Sequence, residues 1–267
     1  MTISEIQGLL MADQVPDDVM RTLLADPRKG VQTAIAAYFR RQQRDVAERL
    51  RVEAMYETES AFYRQGKKLV AGVDEVGRGP LAGPVTVAAV ILPPHWFQAG
   101  LNDSKQVSPK KREEIAERIA KEAVAVSIAS TEPEEIDSLN IYEATLFTMY
   151  KALKGLSMKP EAVIVDAMPL HLGLPVVSLT HGDEKSASVA AASIVAKVYR
   201  DRLMAVYGKE YPEYGFEQNK GYGTAEHMDA IRRYGITRLH RKSFEPVKSM
   251  IYEGCHENSR DEERRQV

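Results

Sequence analysis

The sequence predicts an α/β fold with a mixed five-stranded sheet flanked by helices, preceded by a helical N-terminal extension. Three apolar segments lie close together in the sequence, which favours an antiparallel meander. Two shorter apolar segments then alternate with helical periodicity, which favours parallel strands added to one side of that sheet. The five predicted strands are Leu69–Val76, Val85–Leu92, Val124–Ser130, Ala162–Asp166 and Pro175–Leu179.

Residues 1–68 are predicted to form the helical extension. Asp17 is placed to cap a first short helix, and Asp26-Pro27 to begin the following segment. Between Gly30 and Arg64 there is no proline or glycine and apolar residues recur at helical spacing, so a continuous helical segment is expected. Two interpretations of its basic residues stay open: an arm that contacts phosphates, or an ordinary solvated helix face. The basic residues in question are Arg28, Lys29, Arg40, Arg41, Arg44, Arg49 and Arg51.

Further helices are predicted between and after the strands. Ser108-Pro109 is a typical helix start, because serine caps a helix and proline is tolerated in the first turn. The predicted helices cover residues 108–122, 140–156, 186–207 and 224–234. We expect one α/β domain over residues 69–252, including the C-terminal helices, and a charged, disordered tail over residues 253–267.

The composition excludes several classes of protein. At 267 residues, 44% hydrophobic and 28% charged, the chain is typical of soluble globular proteins. Its longest apolar run, Val85–Leu92, is far shorter than the roughly 20 residues of a membrane span, and its N-terminus lacks the features of a secretory signal. The single cysteine, Cys255, excludes an internal disulfide, so a cytoplasmic protein without a membrane partner is expected. The net charge of −2 argues against a globally basic nucleic-acid binder but not against local basic patches.

Carboxylates at strand ends are the strongest functional signal. Asp74 and Glu75 close the first strand and Asp166 closes the fourth, whereas Asp183 stands just before a long helix. Active sites of such sheets collect at the carboxyl ends of strands near the point where strand order reverses, so we expect these groups to lie together. Clustered carboxylates without histidine or cysteine partners favour Mg2+ or Mn2+ over Zn2+.

Adjacent residues on a continuing strand point to opposite faces, so Asp74 and Glu75 would share one ion by their side chains only if the strand ends at Asp74. The turn that Gly77-Arg78-Gly79 requires is compatible with such an end, and a backbone carbonyl is an alternative ligand. The non-functional alternative for this pair is a salt bridge to Arg78 or Lys105. The aspartate before the long helix would then be a simple helix cap.

Two glycine-containing loops complete the candidate site. Gly77-Arg78-Gly79 brings backbone N–H groups beside the carboxylates, and it is not a Walker loop because a strand follows it. Gly221-Tyr222-Gly223 places an aromatic ring in a polar loop, either to stack on a base or sugar or as a buried anchor. Asn102–Lys105 is by itself an ordinary polar turn. His181 and His227 lack metal-binding spacing and are expected to be polar surface or supporting groups.

Six ordered blocks between Val70 and Lys248 give the chain a specific resemblance. They are VDEVGRGPLAGP, NDSK, NIYEAT, IVDA, GDEKSASVAAASIVAKVYRD and NKGYGT. On these blocks the chain resembles ribonuclease HII, the type 2 ribonuclease H family. The resemblance implies a ribonuclease H-like fold, hydrolysis of the RNA strand of RNA–DNA hybrids, and incision at single ribonucleotides embedded in duplex DNA. It also implies 3′-hydroxyl and 5′-phosphate products and a two-metal-ion mechanism with Mn2+ or Mg2+.

The resemblance assigns residues as well. The family's catalytic, metal-binding carboxylates correspond to Asp74, Glu75, Asp166 and Asp183. Gly77, Arg78 and Gly79 correspond to the turn that recognises the 2′-hydroxyl, and Tyr222 to the tyrosine that stacks on the sugar at the RNA–DNA junction. Lys105, in the NDSK block, is a further substrate-binding candidate. The implied partners are RNA–DNA hybrids and ribonucleotide-containing duplex DNA. We also expect the protein to be a monomer.

Two departures and two alternatives accompany this resemblance. Gln106-Val107 stands where many members have Lys-Leu, and Glu184 is acidic where a small residue is commoner. The nearest alternative is ribonuclease HIII, whose Gly-Lys-Gly turn lacks the continuation found here after Arg78-Gly79-Pro80. The alternative from another class is a non-catalytic nucleic-acid-binding module, but clustered negative charge that faces phosphates argues against it.

Overall fold

The computed structural model describes residues 1–251, which fall into two compact units. The N-terminal unit is Met1–Ala54, and the C-terminal unit begins at Met55. The first unit is thus shorter than the predicted extension over residues 1–68. The tail predicted over residues 253–267 lies outside the described residues. Among the helices of residues 1–251, none is long and apolar enough to cross a membrane.

The N-terminal unit consists of three helices, α1 (Ile3–Leu9), α2 (Asp17–Leu24) and α3 (Lys29–Ala54). They enclose a small apolar core formed by Ile6, Leu10, Leu23, Val31, Ile35 and Tyr38. The predicted cap at the start of α2 is wrong. Pro16 occupies the capping position, and Asp17 is already the first helical residue. There its negative charge interacts favourably with the positive end of the helix dipole.

Several arginines of the N-terminal unit make their contacts within the unit itself. Arg28 pairs with Asp26 at 2.6 Å, and Arg51 pairs with Glu48 at 2.7 Å. The Arg41 guanidinium donates to the Leu10 carbonyl at 2.7 Å. By contrast, the exposed Arg40 and Arg44 line a surface depression with Ala37, Gln43 and Ala47. The solvated-face interpretation therefore accounts for part of the basic cluster, and contact with phosphates stays a prediction for the remainder.

The continuous helix expected up to Arg64 is interrupted. After α3 ends at Ala54, α4 begins only at Glu57 and runs to Arg64. The intervening Met55 carbonyl accepts a hydrogen bond from the Ala187 N–H at 3.1 Å, and the buried Tyr56 hydroxyl donates to the Trp96 carbonyl at 2.8 Å. Contacts far away in the sequence thus replace the helical hydrogen bonds at this point.

The C-terminal unit is built on one mixed sheet, as predicted. Its strands are β1 (Val70–Val76), β2 (Val85–Ile91), β3 (Ala125–Thr131), β4 (Ala162–Asp166) and β5 (Val176–Leu179), in the order β3-β2-β1-β4-β5. β1, β2 and β3 form an antiparallel meander, whereas β4 and β5 continue the sheet in parallel beyond β1. The central strand β1 therefore stands where the direction of pairing changes.

Helices surround this sheet. They are α5 (Pro109–Glu122), α6 (Pro133–Leu139), α7 (Ile141–Lys154), α8 (Gly182–Lys185), α9 (Ala187–Glu210), α10 (Phe216–Asn219) and α11 (Ala225–Tyr234), with a 3-10 turn at Pro212–Tyr214. The four predicted helices correspond to α5, α7, α9 and α11. The short helices α6, α8 and α10 were not predicted.

The packing of α9 against β1 positions the site. A Cβ atom on Gly72 of β1 would lie 2.0 Å from the carbonyl carbon of Ser188, so only glycine lets the helix backbone approach this closely. On the opposite face of the sheet, Ala71 and Val73 pack in the core that contains Met149 of α7. Even-numbered residues of β1 therefore face α9, and odd-numbered residues face α7.

Candidate active site

A cavity of about 310 Å³ lies at the carboxyl ends of β1 and β4. Every candidate residue predicted from the sequence lines it. The lining residues are Asp74, Glu75, Val76, Gly77, Arg78, Gly79, Ser104, Lys105, Asp166, Asp183, Ser193, Lys197 and Tyr222. Residues from distant parts of the chain thus meet where the strand-end argument places a site.

Asp74 is buried on the face of β1 that α9 covers, with 5% of its surface exposed. Its Oδ1 accepts a hydrogen bond from the Glu75 N–H at 2.8 Å. Burial raises the pKa of Asp74 well above its ordinary value, and the neighbouring charge of Glu75 raises it further, whereas a hydrogen bond with Ser193 opposes the shift. A cation would relieve both unfavourable effects.

Glu75 lies on the opposite face of β1, because the strand does not end at Asp74. Pairing with β2 continues through Glu75 and Val76, and the chain turns only at Gly77, which has a φ of +89°. The condition for sharing one ion, a strand end at Asp74, is therefore not met, yet both carboxylates still line the same cavity.

The salt-bridge alternative is realised only for Glu75. Its Oε1 accepts from Arg78 at 3.3 Å, but its Oε2 is buried and has no hydrogen-bond partner. Burial raises the pKa of Glu75, and the charge of Arg78 opposes the shift. One oxygen of this side chain is thus left available to a ligand.

The other two carboxylates come from β4 and α8. Asp166 ends β4, and its Oδ1 accepts from the Gly182 N–H at 2.8 Å, which ties α8 to the end of the strand. Asp183 is buried in the first turn of α8. It is not a helix cap, since Ser186 caps α9 with its own side chain. Burial raises the pKa of Asp183 to about 6, with added repulsion from Asp103 and Asp166.

This donor set fits a hard divalent cation. The four carboxylates offer only oxygen atoms, and one of these atoms is buried without a partner. Within residues 1–251, no three Asp, Glu, His or Cys side chains are already grouped closely enough to hold an ion. Mutual repulsion among the carboxylates opposes such grouping in the protein alone.

Tyr222 forms another wall of the cavity. Its side chain is 48% exposed, so the buried-anchor alternative is wrong. The preceding Gly221 carbonyl accepts from the N–H groups of Leu81 at 2.8 Å and Ala82 at 3.2 Å. A Cβ atom on Gly79 would lie 3.9 Å from the Tyr222 ring, so the two loops stand side by side.

Sequence reasoning missed two buried arginines behind these loops. Arg200 and Arg241 have no exposed surface. Arg200 donates to the carbonyls of Pro84 at 2.9 Å, Lys220 at 2.9 Å and Ala82 at 3.2 Å. The available signal was an arginine within the small, apolar residues of α9. The residues around Arg241 form no comparable sequence pattern.

Of the two expectations for His227, a polar surface group or a supporting group, the structure bears out the second. His227 is fully buried and hydrogen-bonded to the Tyr222 carbonyl at 2.9 Å. A second buried histidine, His240, contacts it at 3.1 Å between the two Nε2 atoms. Both histidines support the loop that carries Tyr222 from behind.

Solved structures share this architecture. The ribonuclease H2 of Pyrococcus horikoshii superposes with a TM-score of 0.60 at 27% identity, covering 67% of this chain and 95% of that one. The ribonuclease HII of Archaeoglobus fulgidus, solved in a complex with PCNA, gives a TM-score of 0.56 at 28% identity over 66% of this chain and 95% of that one. The fold and the strand-end carboxylates thus define an enzyme of the ribonuclease H class, and the predicted fold is confirmed.

Sequence comparison identifies the family within that class. The model of the ribonuclease HII family matches residues 71–247, and that of the ribonuclease HII N-terminal domain matches residues 2–63. Ribonuclease HII of Lactobacillus gasseri is 51% identical over 247 residues, which cover 92% of this chain and 98% of the relative. The chain therefore belongs to the ribonuclease HII family, nucleases that cleave the RNA of RNA–DNA hybrids.

Proposed function

We propose that this ribonuclease incises duplex DNA at single embedded ribonucleotides as well as cleaving longer RNA–DNA hybrids, leaving 3′-hydroxyl and 5′-phosphate ends. One observation carries the proposal. Four carboxylates, the Gly77-Arg78-Gly79 turn and the exposed Tyr222 line a single cavity. A hydrolytic centre and a surface suited to one sugar are therefore adjacent.

The carboxylates serve the hydrolysis. Asp74, Glu75, Asp166 and Asp183 would hold two divalent cations, Mn2+ or Mg2+. Bound divalent cations supply the acidity that activates a water molecule and the positive charge that stabilises the leaving 3′-oxygen. Lys105 and Lys197 also line the cavity, where their charges favour a phosphate.

The two loops serve recognition of the ribonucleotide. The 2′-hydroxyl is the group that distinguishes RNA from DNA, and it both donates and accepts hydrogen bonds. Gly79 has no side chain to keep a sugar away from the backbone. Tyr222 offers an exposed ring that suits stacking against the sugar.

A non-catalytic binding module is less consistent with this site. Such a module would have to keep buried, mutually repelling carboxylates, which raises the free energy of the fold without any binding benefit. Catalysis with divalent cations gives these groups a role. The monomeric state and the cytoplasmic location stay predictions from the sequence.

The test is incision of an end-labelled duplex that contains one ribonucleotide, with the cut mapped in Mg2+ and in Mn2+. We expect a single cut at the ribonucleotide, and none in an all-DNA duplex of the same sequence. A long RNA–DNA hybrid serves as the positive control. Cleavage of the hybrid with an intact single-ribonucleotide duplex would contradict the proposal and favour the ribonuclease HIII alternative, in which long hybrids are cut and a single embedded ribonucleotide is spared.

A further inference from the structure

We propose that the consecutive residues His240 and Arg241 position both parts of the recognition surface, which we define as Gly77-Arg78-Gly79 together with Tyr222. Arg241 acts on the turn, and His240 acts on Tyr222 through His227. The inference rests on the proposed function, because it names the residues that shape the surface contacting the ribonucleotide.

Arg241 holds the turn by its carbonyl groups. Its guanidinium donates to the carbonyl of Gly77 at 2.5 Å, to that of Arg78 at 2.8 Å and to that of Gly83 at 2.8 and 3.0 Å. In a trans peptide the N–H points opposite to the carbonyl. The N–H groups of Arg78 and Gly79 are therefore directed away from the buried guanidinium, toward the cavity that these residues line.

Only an arginine makes this set of contacts. The planar guanidinium has five donors in a fixed fork, whereas a lysine ammonium is a point charge with three donors on a flexible stem. Burial removes water from this side chain and lowers the pKa of Arg241 to about 9, and the neighbouring charge of Arg200 acts in the same direction. The carbonyl dipoles of the turn replace that solvation, so the turn and the arginine depend on each other.

The histidines form a directed chain of hydrogen bonds that ends at Tyr222. The Thr237 N–H donates to His240 Nδ1 at 2.9 Å, so a neutral His240 carries its proton on Nε2. That proton is donated to His227 Nε2 at 3.1 Å, which leaves the His227 proton on Nδ1. His227 Nδ1 then donates to the Tyr222 carbonyl at 2.9 Å. The backbone of Tyr222 is fixed in this way while its ring stays exposed.

The first test compares Arg241→Gln and Arg241→Lys with the matched control Arg238→Gln, whose arginine makes an exposed ion pair with Glu210. The readout is the ratio of affinities for a duplex with one ribonucleotide and for the all-DNA duplex, measured by fluorescence anisotropy without divalent ions. We expect both Arg241 variants to lower this ratio about tenfold or more, and the control to leave it unchanged. A merely structural role would lower the melting temperature and leave the ratio intact, and that result would overturn the inference.

The second test uses a double-mutant cycle of His227→Leu and Tyr222→Ala, read as kcat/KM on the single-ribonucleotide duplex. If His227 acts through Tyr222, His227→Leu costs about tenfold in the wild-type background and less than about twofold when Tyr222 is already alanine. His227→Asn retains a donor near the Nδ1 position and should recover most of the activity. Equal losses in both backgrounds, or no recovery by asparagine, would overturn this half. Failure of the wild-type enzyme to incise at the ribonucleotide would instead refute the proposed function.

Discussion

Asp74 carries a carboxylate that its surroundings do little to stabilise in the charged form. It is buried, it lies beside Glu75, and its pKa is raised by both effects. Groups with strongly perturbed pKa values in a cavity mark functional sites more often than structural ones. A bound cation is therefore expected to stabilise the charged form of the Asp74 carboxylate.

Asp74→Asn is expected to retain the fold and to lose cleavage by about 10³-fold or more, because a metal ligand contributes several kcal/mol to transition-state stabilisation. Mn2+ at 100 times its Kd should stabilise the wild type by about 2.7 kcal/mol and leave the variant unchanged. Cleavage assays and thermal melts with and without Mn2+ test both points. Asp229→Asn, at an exposed ion pair with Arg232, is the matched control. Cleavage that survived in Asp74→Asn would show that the proposed centre is misplaced.

His240 is expected to make stability depend on pH. Burial and the neighbouring His227 lower its pKa to about 4 in the folded protein, against 6.5 as its ordinary value. The unfolded chain therefore binds more protons between these values, so stability is fully present above pH 6.5 and is lost as the pH falls toward 4. The lost contribution is on the order of 3 kcal/mol.

The measurement is the free energy of unfolding in urea at several pH values, compared between the wild type and His240→Gln. We expect the variant to have a shallower dependence between pH 6.5 and 4. Parallel curves for the two proteins would mean that His240 binds protons equally in the folded and unfolded states.

At the scale of single residues, the sequence predicted those site residues whose position in a strand or loop is visible in the local pattern. The strand-end pattern located Asp74 and Asp166, whereas the glycines around Tyr222 left an exposed ring and a buried anchor both open. It could not reveal Arg241, since that side chain serves the carbonyls of residues 77, 78 and 83, and carbonyls are the same in every residue. The predicted strand end at Val76 is confirmed, because pairing with β2 continues through Glu75 and Val76.

Among the elements, β1 and α9 make the closest approach that bears on the site. Gly72→Ala is expected to cost about 3 kcal/mol of stability, because the new methyl group would overlap the backbone of Ser188. The displaced helix would also shift Ser193 away from Asp74, so activity should fall with stability. Gly173→Ala, where nothing lies within 4 Å of the added carbon, is the control for urea unfolding and cleavage. Equal stability of the two variants would contradict this account of the helix–strand packing.

The elements themselves were predictable wherever local pattern decided them. β4 has the predicted bounds, Ala162–Asp166, because a short apolar run is delimited by polar residues on both sides. The break between α3 and α4 was not predictable, since Met55 and Tyr56 are held by Ala187 and Trp96. The short helix α8 could not be predicted either, because its position depends on the hydrogen bond from the Gly182 N–H to Asp166.

For the whole molecule, the division after Ala54 suggests where the extension should be removed. Deleting residues 1–54 is expected to leave the remaining unit folded and to weaken hybrid binding about fivefold, with kcat within about twofold. The exposed Arg40 and Arg44 motivate this expectation, because each phosphate contact contributes to affinity and to its salt dependence. Anisotropy at several salt concentrations tests it, with Arg40→Ala/Arg44→Ala in the full chain for comparison. Unchanged affinity and salt dependence would reject a role of the extension in binding.

A longer deletion, of residues 1–68, should behave differently. It removes Glu59, whose buried carboxylate accepts from the Ser186 hydroxyl at 2.7 Å and the Ser188 N–H at 3.0 Å at the start of α9. Loss of such buried partners leaves polar groups unsatisfied and costs about 1–3 kcal/mol for each group. We expect a lower melting temperature than for the shorter deletion.

The support of the Gly77-Arg78-Gly79 turn by Arg241 limits how far this motif is portable. The arginine that fixes the Gly77 carbonyl stands 164 residues away along the chain. If the eight-residue segment GRGPLAGP were inserted into another scaffold, it would have the same sequence but would not adopt the same turn conformation. Transfer of ribonucleotide recognition would require the distant HRKSF segment to be grafted with it, in register.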